Sequence, residues 1–306
     1  MTDRPLRNVA ASVRQRLMNR AKETDRPFQE VLQYFAMERF LYRLSLSSHA
    51  ERFVLKGALM FTVWGAPASR PTRDIDLLGR MNNSVDALVP VFRDVCQRVV
   101  EPDGLVFAAD SLTGQVIKED ADYAGVRVTF QALLENAHVP MQIDIGFGDI
   151  VVPEAVLTDY PTILDHAKPR LRAYPKETVV AEKFEAMVKL GQLNSRLKDF
   201  FDLWLLSRQF AFDGMTLSSA VTQTFQNRQT AINPQPVALT AMFANDPIKQ
   251  AQWKGFLRKS RLDMAPPQLA EVIDAISGFL LPLATALAKG QTFDSVWHPP
   301  GSWQNA

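Results

Sequence analysis

The stretch "RPTRDIDLLG", residues 70–79, decides how the rest of this chain is read. Asp74 and Asp76 flank Ile75, and Leu77 follows. Side chains alternate across a β-strand, so the two acids share one face and the two apolar residues the other. The apolar face can pack under a helix, which leaves both carboxylates together. At about 4 Å and a surface-like dielectric such a pair repels by roughly 4 kcal/mol, tolerable only where a cation, protonation or solvent relieves it. A second segment, "MQIDIGF" at residues 141–147, has the same construction, with Asp144 between Ile143 and Ile145. If the two strands are neighbours, three acids converge. Hard oxygen ligands with room for water and phosphate describe a magnesium site rather than a zinc site. His49, His138, His166 and His298 are scattered and offer no ligand spacing. An acid-x-acid pair alone is common on turns and surface strands; the second acid-bearing strand shifts the balance toward chemistry.

Outward from that motif, "RFVLKGALMFTVWGAP" (residues 52–67) reads as a strand over Phe53 to Lys56, a sharp turn at Gly57, and a helix from Ala58 to Trp64 stopped by Gly65 and Pro67. Two amphipathic helices precede it, one marked by Val9, Val13 and Leu17, the other by Phe28, Val31, Leu32 and Phe35 and continued by Phe40, Leu41 and Leu44. The first carries Arg14, Arg16, Arg20 and Lys22, read as a solvated face in preference to an RNA-facing stripe. After the motif come a covering helix (Val85, Leu88, Val91, Val95) and extended segments at Leu105 to Ala108 with Gly114 to Lys118, Gly125 to Leu133, and Pro140 to Gly146. From Thr178 onward the pattern is helical, ending in a loose "HPPGSWQNA" tail, and "VVPEAVLTDYPTILDHAKPR" reads as a connector. The fold class is therefore α/β (α+β): a mixed sheet with helices over residues 1–150, then a mostly α-helical region over 151–306 that completes the cleft.

Composition sets the outer bounds. With 306 residues, 47% hydrophobic and 22% charged, the chain can bury a real core, and its net charge of +1 does not advertise a nucleic-acid surface. A lone Cys96 fits a reducing compartment, and the N-terminal stretch has no signal-peptide core. The longest apolar run, Ile276 to Ala288, has a proline and is shorter than the ~20 residues of a membrane span, so a cytoplasmic protein without a membrane segment is expected. No phosphate-binding loop of the GxxxxGK[ST] kind is present.

Five separated elements, "FVLKGALM", "RPTRDIDLL", "IDIGFGD", "VVAEKFEAMVKLG" and "RLKDFFDLWLL", with the run-up "QEVLQYFAMERFLYRLSLSS", resemble the AbiEii abortive-infection toxins of the nucleotidyltransferase superfamily. The resemblance spans about residues 28–207. It implies that Asp74 and Asp76 are the metal-binding pair and Asp144 the third carboxylate. It makes Lys56, Gly57 and Ala58 the nucleotide-phosphate loop, Lys183 a phosphate contact and Asp199 an essential acid. Many relatives carry a glycine or serine where this chain has Ala58, so a hydroxyl contact is missing there. The cofactors implied are Mg2+, with Mn2+ as the alternative, and a nucleoside triphosphate (NTP) as co-substrate. The role implied is the toxin of a toxin–antitoxin pair in phage defence. Its acceptor would be RNA at a tRNA 3′ end, and its cognate antitoxin would repress transcription without binding this chain. Transfer to a small molecule or a protein hydroxyl, and a non-catalytic nucleotide-binding module, are the rivals.

The helical half agrees on its own terms in part. Val180, Phe184 and Met187 make a buried stripe with Lys183 at its flank, where a lysine commonly snorkels to water. Glu185 with Lys189 reads as a surface i,i+4 pair. Phe200, Leu203 and Trp204 mark the core face of the next helix, after a Ser195 N-cap, and Asp199 and Asp202 lie three apart on the opposing side.

Overall fold

A seven-stranded mixed sheet organises the first half of the chain, and it grows from the alternation in residues 70–79. The structure, a computed structural model, describes residues 8–66, 70–120 and 123–305. Two helices open it, α1 (Val9–Glu23) and α2 (Phe28–Leu46), the second buried nearly all round instead of amphipathic, followed by β1 (Phe53–Lys56), the short α3 (Leu59–Val63), β2 (Asp74–Gly79) and α4 (Val85–Gln97). A meander of β3 (Leu105–Asp120), β4 (Tyr123–Leu134) and β5 (Ala137–Phe147) comes next, then the short strands β6 (Val156–Asp159) and β7 (Arg170–Ala173). The strand order is β3-β4-β5-β2-β1-β7-β6, with β2 parallel to β5 and antiparallel to β1.

The parallel β2–β5 pairing sets Ile75 opposite Ile143, and Leu77 opposite Ile145; all four are buried. Val126, Val128 and Phe130 extend this apolar face across β4. Helices α2 and α4 cover it: the Phe40 ring lies 5.3 Å from Phe130, 6.0 Å from Phe92 and 5.7 Å from Phe107. The other face is polar by the same alternation.

The remaining elements are α5 (Lys176–Leu190), α6 (Leu197–Gln209), β8 (Phe212–Asp213), α7 (Gly214–Asn227), α8 (Ala241–Ala244), α9 (Pro247–Ser260), α10 (Leu269–Ala288), β9 (Ser295–His298) and β10 (Ser302–Asn305). By its internal contacts the chain divides into Met1–Gly148 with Val156–Ala173, and Asp149–Ala155 with Tyr174–Ala306. α10 is 20 residues long, so length and composition alone would allow a membrane span. Its buried stripe, Val272, Ile273, Ile276, Phe279, Leu280 and Leu283, instead packs against α6 and α7 within its unit, as in a core helix.

Several sequence expectations are corrected here. The two extended pieces expected between Leu105 and Lys118 are one strand, β3, with a register shift between Ala108 and Thr113. Residues 156–170, read as part of a connector, hold β6 and the first residue of β7, and both strands join the first sheet, β7 pairing with β1. The "loose" tail is a hairpin: β10 pairs with β9, which pairs with β8. Trp303 stacks on Phe279 at 5.8 Å and donates its indole N–H to the Phe279 carbonyl, while Trp297 donates to the Ser207 carbonyl. Pro299, Pro300 and Gly301 are turn residues between paired strands, which is why the segment reads as unstructured. Pro67, the expected helix stop, lies outside the described residues; α3 ends before Trp64 and Gly65.

Candidate active site

On the polar face of the sheet the register assembles a row of charges. Lys56 on β1 is opposite Asp76 on β2, Asp76 is opposite Asp144 on β5, and Asp144 is opposite Arg127 on β4. Directly opposed residues share a face, so two bases flank two acids. Asp74 adds a third acid one alternation away. Carboxylate oxygens of Asp74, Asp76 and Asp144 lie within 4.8 Å of one another. At such spacing each pair repels by about 3 kcal/mol at an effective dielectric of ~20, so the arrangement persists only against counter-charge.

Asp74 and Asp144 are held in place by neighbouring side chains. The Thr72 hydroxyl donates to Asp74 Oδ1, and the Thr72 N–H donates to the hydroxyl of buried Tyr34 at 3.1 Å. Arg127 grips Asp144 with two parallel bonds, Nε to Oδ1 at 2.8 Å and Nη2 to Oδ2 at 2.7 Å. Gln142, on the same face two residues before Asp144, donates to it at 3.2–3.3 Å. The guanidinium of Arg127 is held above its ordinary range first by its bond to Asp144 and further by the charges of Asp74 and Asp76, which outweigh its partial desolvation.

Gly57 makes the room. Its φ is +74°, and an added Cβ would fall on Asp76 Oδ2 and 2.5 Å from Asp76 Cγ. Glycine is thus required twice, for the left-handed turn and for the close approach of the acid. The helix that follows, α3, has only five residues, so little macrodipole stands behind the turn.

The second unit holds a polar cluster of its own. Lys183 on α5 does not snorkel: its ammonium lies 2.5 Å from Asp199 Oδ1 and 2.9 Å from Asp202 Oδ2 on α6. Arg196 Nε reaches the other Asp199 oxygen at 3.2 Å. Both acids are buried, Asp199 at 3% exposure and Asp202 at 1%. Burial alone would raise the Asp199 carboxyl, but the charges of Lys183 and Arg196 hold it below the usual carboxylate range. Glu185, expected to pair with Lys189 on the surface, turns inward and accepts from Arg228 at 2.9 Å and from the Thr230 hydroxyl at 2.5 Å. The N-cap of α6 is Arg196, not Ser195, and the Asn194 side chain accepts from its N–H.

The Asp74–Asp76–Asp144 donor set is all oxygen, and its three acids face the two bases Lys56 and Arg127, an excess of negative charge that suits a hard divalent cation. Across residues 39–275 the chain matches the family described as "Nucleotidyl transferase AbiEii toxin, Type IV TA system". It belongs to the AbiEii family. Two solved structures resemble it, each at 14% identity over 86% of this chain: a "putative nucleotidyltransferase from H. pylori" (TM-score 0.48, 96% of that chain) and JHP933 from Helicobacter pylori (TM-score 0.49, 93% of that chain). No curated protein matches it at a significant level.

For an AbiEii nucleotidyltransferase, sequence reading singled out the three acids, the Gly57 turn, Lys183 and Asp199. It gave no role to Thr72, Arg127 or Gln142, and left Asp202 outside the site. Thr72 and Gln142 each stand two residues before an acid, so strand alternation was a signal for both. Arg127 carried none, because its contact depends on the register of β4 against β5. The Arg14–Arg20 face behaves as the solvated reading expects: Arg14, Arg16 and Arg20 meet Glu135, Asp165 and Glu23 at 3.9, 3.0 and 3.2 Å.

Proposed function

We propose that this AbiEii toxin transfers a nucleotidyl group from an NTP, bound with Mg2+ or alternatively Mn2+, to an acceptor hydroxyl of RNA, at a tRNA 3′ end. The observation that carries the reading is the meeting of Asp74, Asp76 and Asp144 beside a glycine that can accept no side chain. Asp74 and Asp76 would hold the divalent ion, with Asp144 completing the acidic wall. When bound, such an ion neutralises phosphoryl charge and favours the ionised form of a nearby hydroxyl. The acceptor oxygen bonds to the α-phosphorus, the bond to the β-phosphate bridge breaks, and diphosphate leaves. Lys56, Gly57 and Ala58 would bring backbone N–H groups and one ammonium to the phosphates.

Lys183, clamped by two acids, would offer an oriented cation to nucleotide phosphate, with Asp199 fixing that orientation. An RNA acceptor draws support from α9, "PIKQAQWKGFLRKS", which contains no acid and exposes Lys254, Arg258 and Lys259, with Arg261 just beyond it. The cytoplasm supplies both substrates, and the partner protein is the cognate antitoxin.

The test supplies each of the four α-labelled NTPs with magnesium to the full chain, together with total RNA, cell protein and small-molecule extract. Label confined to tRNA supports the proposal. Label in protein or small molecules alone rejects the RNA acceptor, and label in no fraction rejects the transferase reading.

A further inference from the structure

We infer that Arg127 is a positioning residue that weakens the hold of the acid cluster on a free divalent cation, so that the ion enters together with its triphosphate. The inference rests on the metal-dependent reading above and goes further by assigning a role to a residue outside the acid triad. Arg127 faces the acids because β4 pairs with β5 in the register that sets it opposite Asp144. Its fork engages both Asp144 oxygens, at 2.8 and 2.7 Å, which fixes the plane of the carboxylate and cancels its charge. Gln142 approaches the same two oxygens. Asp144 is therefore already committed, and Lys56 stands opposite Asp76, so the negative charge left to an ion is less than the three carboxylates carry. Two carboxylates and water make a weak site for a strongly hydrated ion, whereas a triphosphate brings oxygens and charge of its own. A cross-strand ion pair serving only the sheet would contribute modestly to stability and would leave cation affinity unchanged or reduced.

Manganese binding to the full-length protein, followed by electron paramagnetic resonance, separates these roles without an activity assay. The titration is run with and without a mixture of the four α,β-methylene triphosphates. Wild type should bind Mn2+ weakly alone and much more tightly with the analogues. Arg127→Gln should bind free Mn2+ about tenfold more tightly, since a full positive charge a few ångströms from the ligands is removed. Arg127→Lys should stay within about threefold of wild type. The double variant Arg127→Gln/Asp144→Asn restores the charge balance and should match wild type, which keeps the test decisive if the single variant misfolds by circular dichroism. A folded Arg127→Gln variant with no gain overturns the inference, as does a double variant that loses tenfold or more, because Asp144 would then be a ligand despite Arg127. Binding of no Mn2+ by any form, with or without analogues, sinks the metal reading itself and this inference with it.

Discussion

Gly57 is the position where a single methyl group should do most damage. Its φ of +74° costs alanine about 1–2 kcal/mol, and the new Cβ would collide with the Asp76 carboxylate. Gly57→Ala should lower stability by about that amount in a urea titration and reduce nucleotidyl transfer about 100-fold, because displaced catalytic groups are costly. Activity within threefold of wild type would show that the turn does not serve the site. Lys183 invites a different experiment. Lys183→Met removes the cation shared by two buried carboxylates, leaving Asp199 with Arg196, and should cost about 3–5 kcal/mol at pH 7. With Lys183 present the Asp199 carboxyl is held low, so its contribution is complete above the unfolded value near 3.8 and disappears as pH falls through the folded value. The penalty of Lys183→Met, read by denaturant titration at several pH values, should therefore shrink toward acid pH. At this scale much was legible: alternation alone placed Asp74 and Asp76 on one face, and Asp144 joins them because β5 is the neighbour of β2. The clamp on Lys183 was not, because a lysine at the edge of an apolar stripe looks the same in sequence whether it meets water or two buried acids.

Elements were legible where their period was long and less so where pairing did the work. α2 and α4 announce themselves through apolar spacing, and β2 and β5 through alternation between isoleucines. β6 and β7 have four residues each and flank no apolar run, so only their partners identify them. The β9–β10 hairpin was hidden by prolines and a glycine that belong to its turn. Two tryptophans seat it, and Trp303 lies against Phe279, Phe293 and Trp297. Trp303→Ala should therefore destabilise the protein by about 2–4 kcal/mol, visible as a lower thermal midpoint. A midpoint unchanged within a degree would mean that the hairpin is a passive tail after all.

Across the whole molecule, buried charge governs the response to pH. Arg39 and Arg43 converge on Asp103, and the Arg39 guanidinium also bonds the Ala167 carbonyl. Glu38 Oε1 lies 3.6 Å from Arg39, but that guanidinium is engaged elsewhere, and among the described residues this oxygen has no hydrogen-bond partner. Burial accordingly pushes the Glu38 carboxyl up to about 7 despite its bond from the Ile163 N–H. Between about pH 4.5 and 7 the unfolded chain gives up this proton while the folded chain keeps it, so stability falls with rising pH and levels off above 7. Glu38→Gln should thus stabilise by about 1–3 kcal/mol at pH 8 and by almost nothing at pH 4.5, compared by urea titration. An equal effect at both values would mean that Glu38 is ionised throughout.

Asp74, Asp76 and Asp144, three acids from two paired strands, are proposed to serve phosphoryl chemistry at the α-position. The direct measurement compares α- and γ-labelled triphosphates on wild type and Asp76→Asn, with magnesium and with chelator. Label should reach the acceptor from the α-position only, and only with both the acid and the metal present. Transfer of γ-label, or undiminished transfer by Asp76→Asn, would contradict that role.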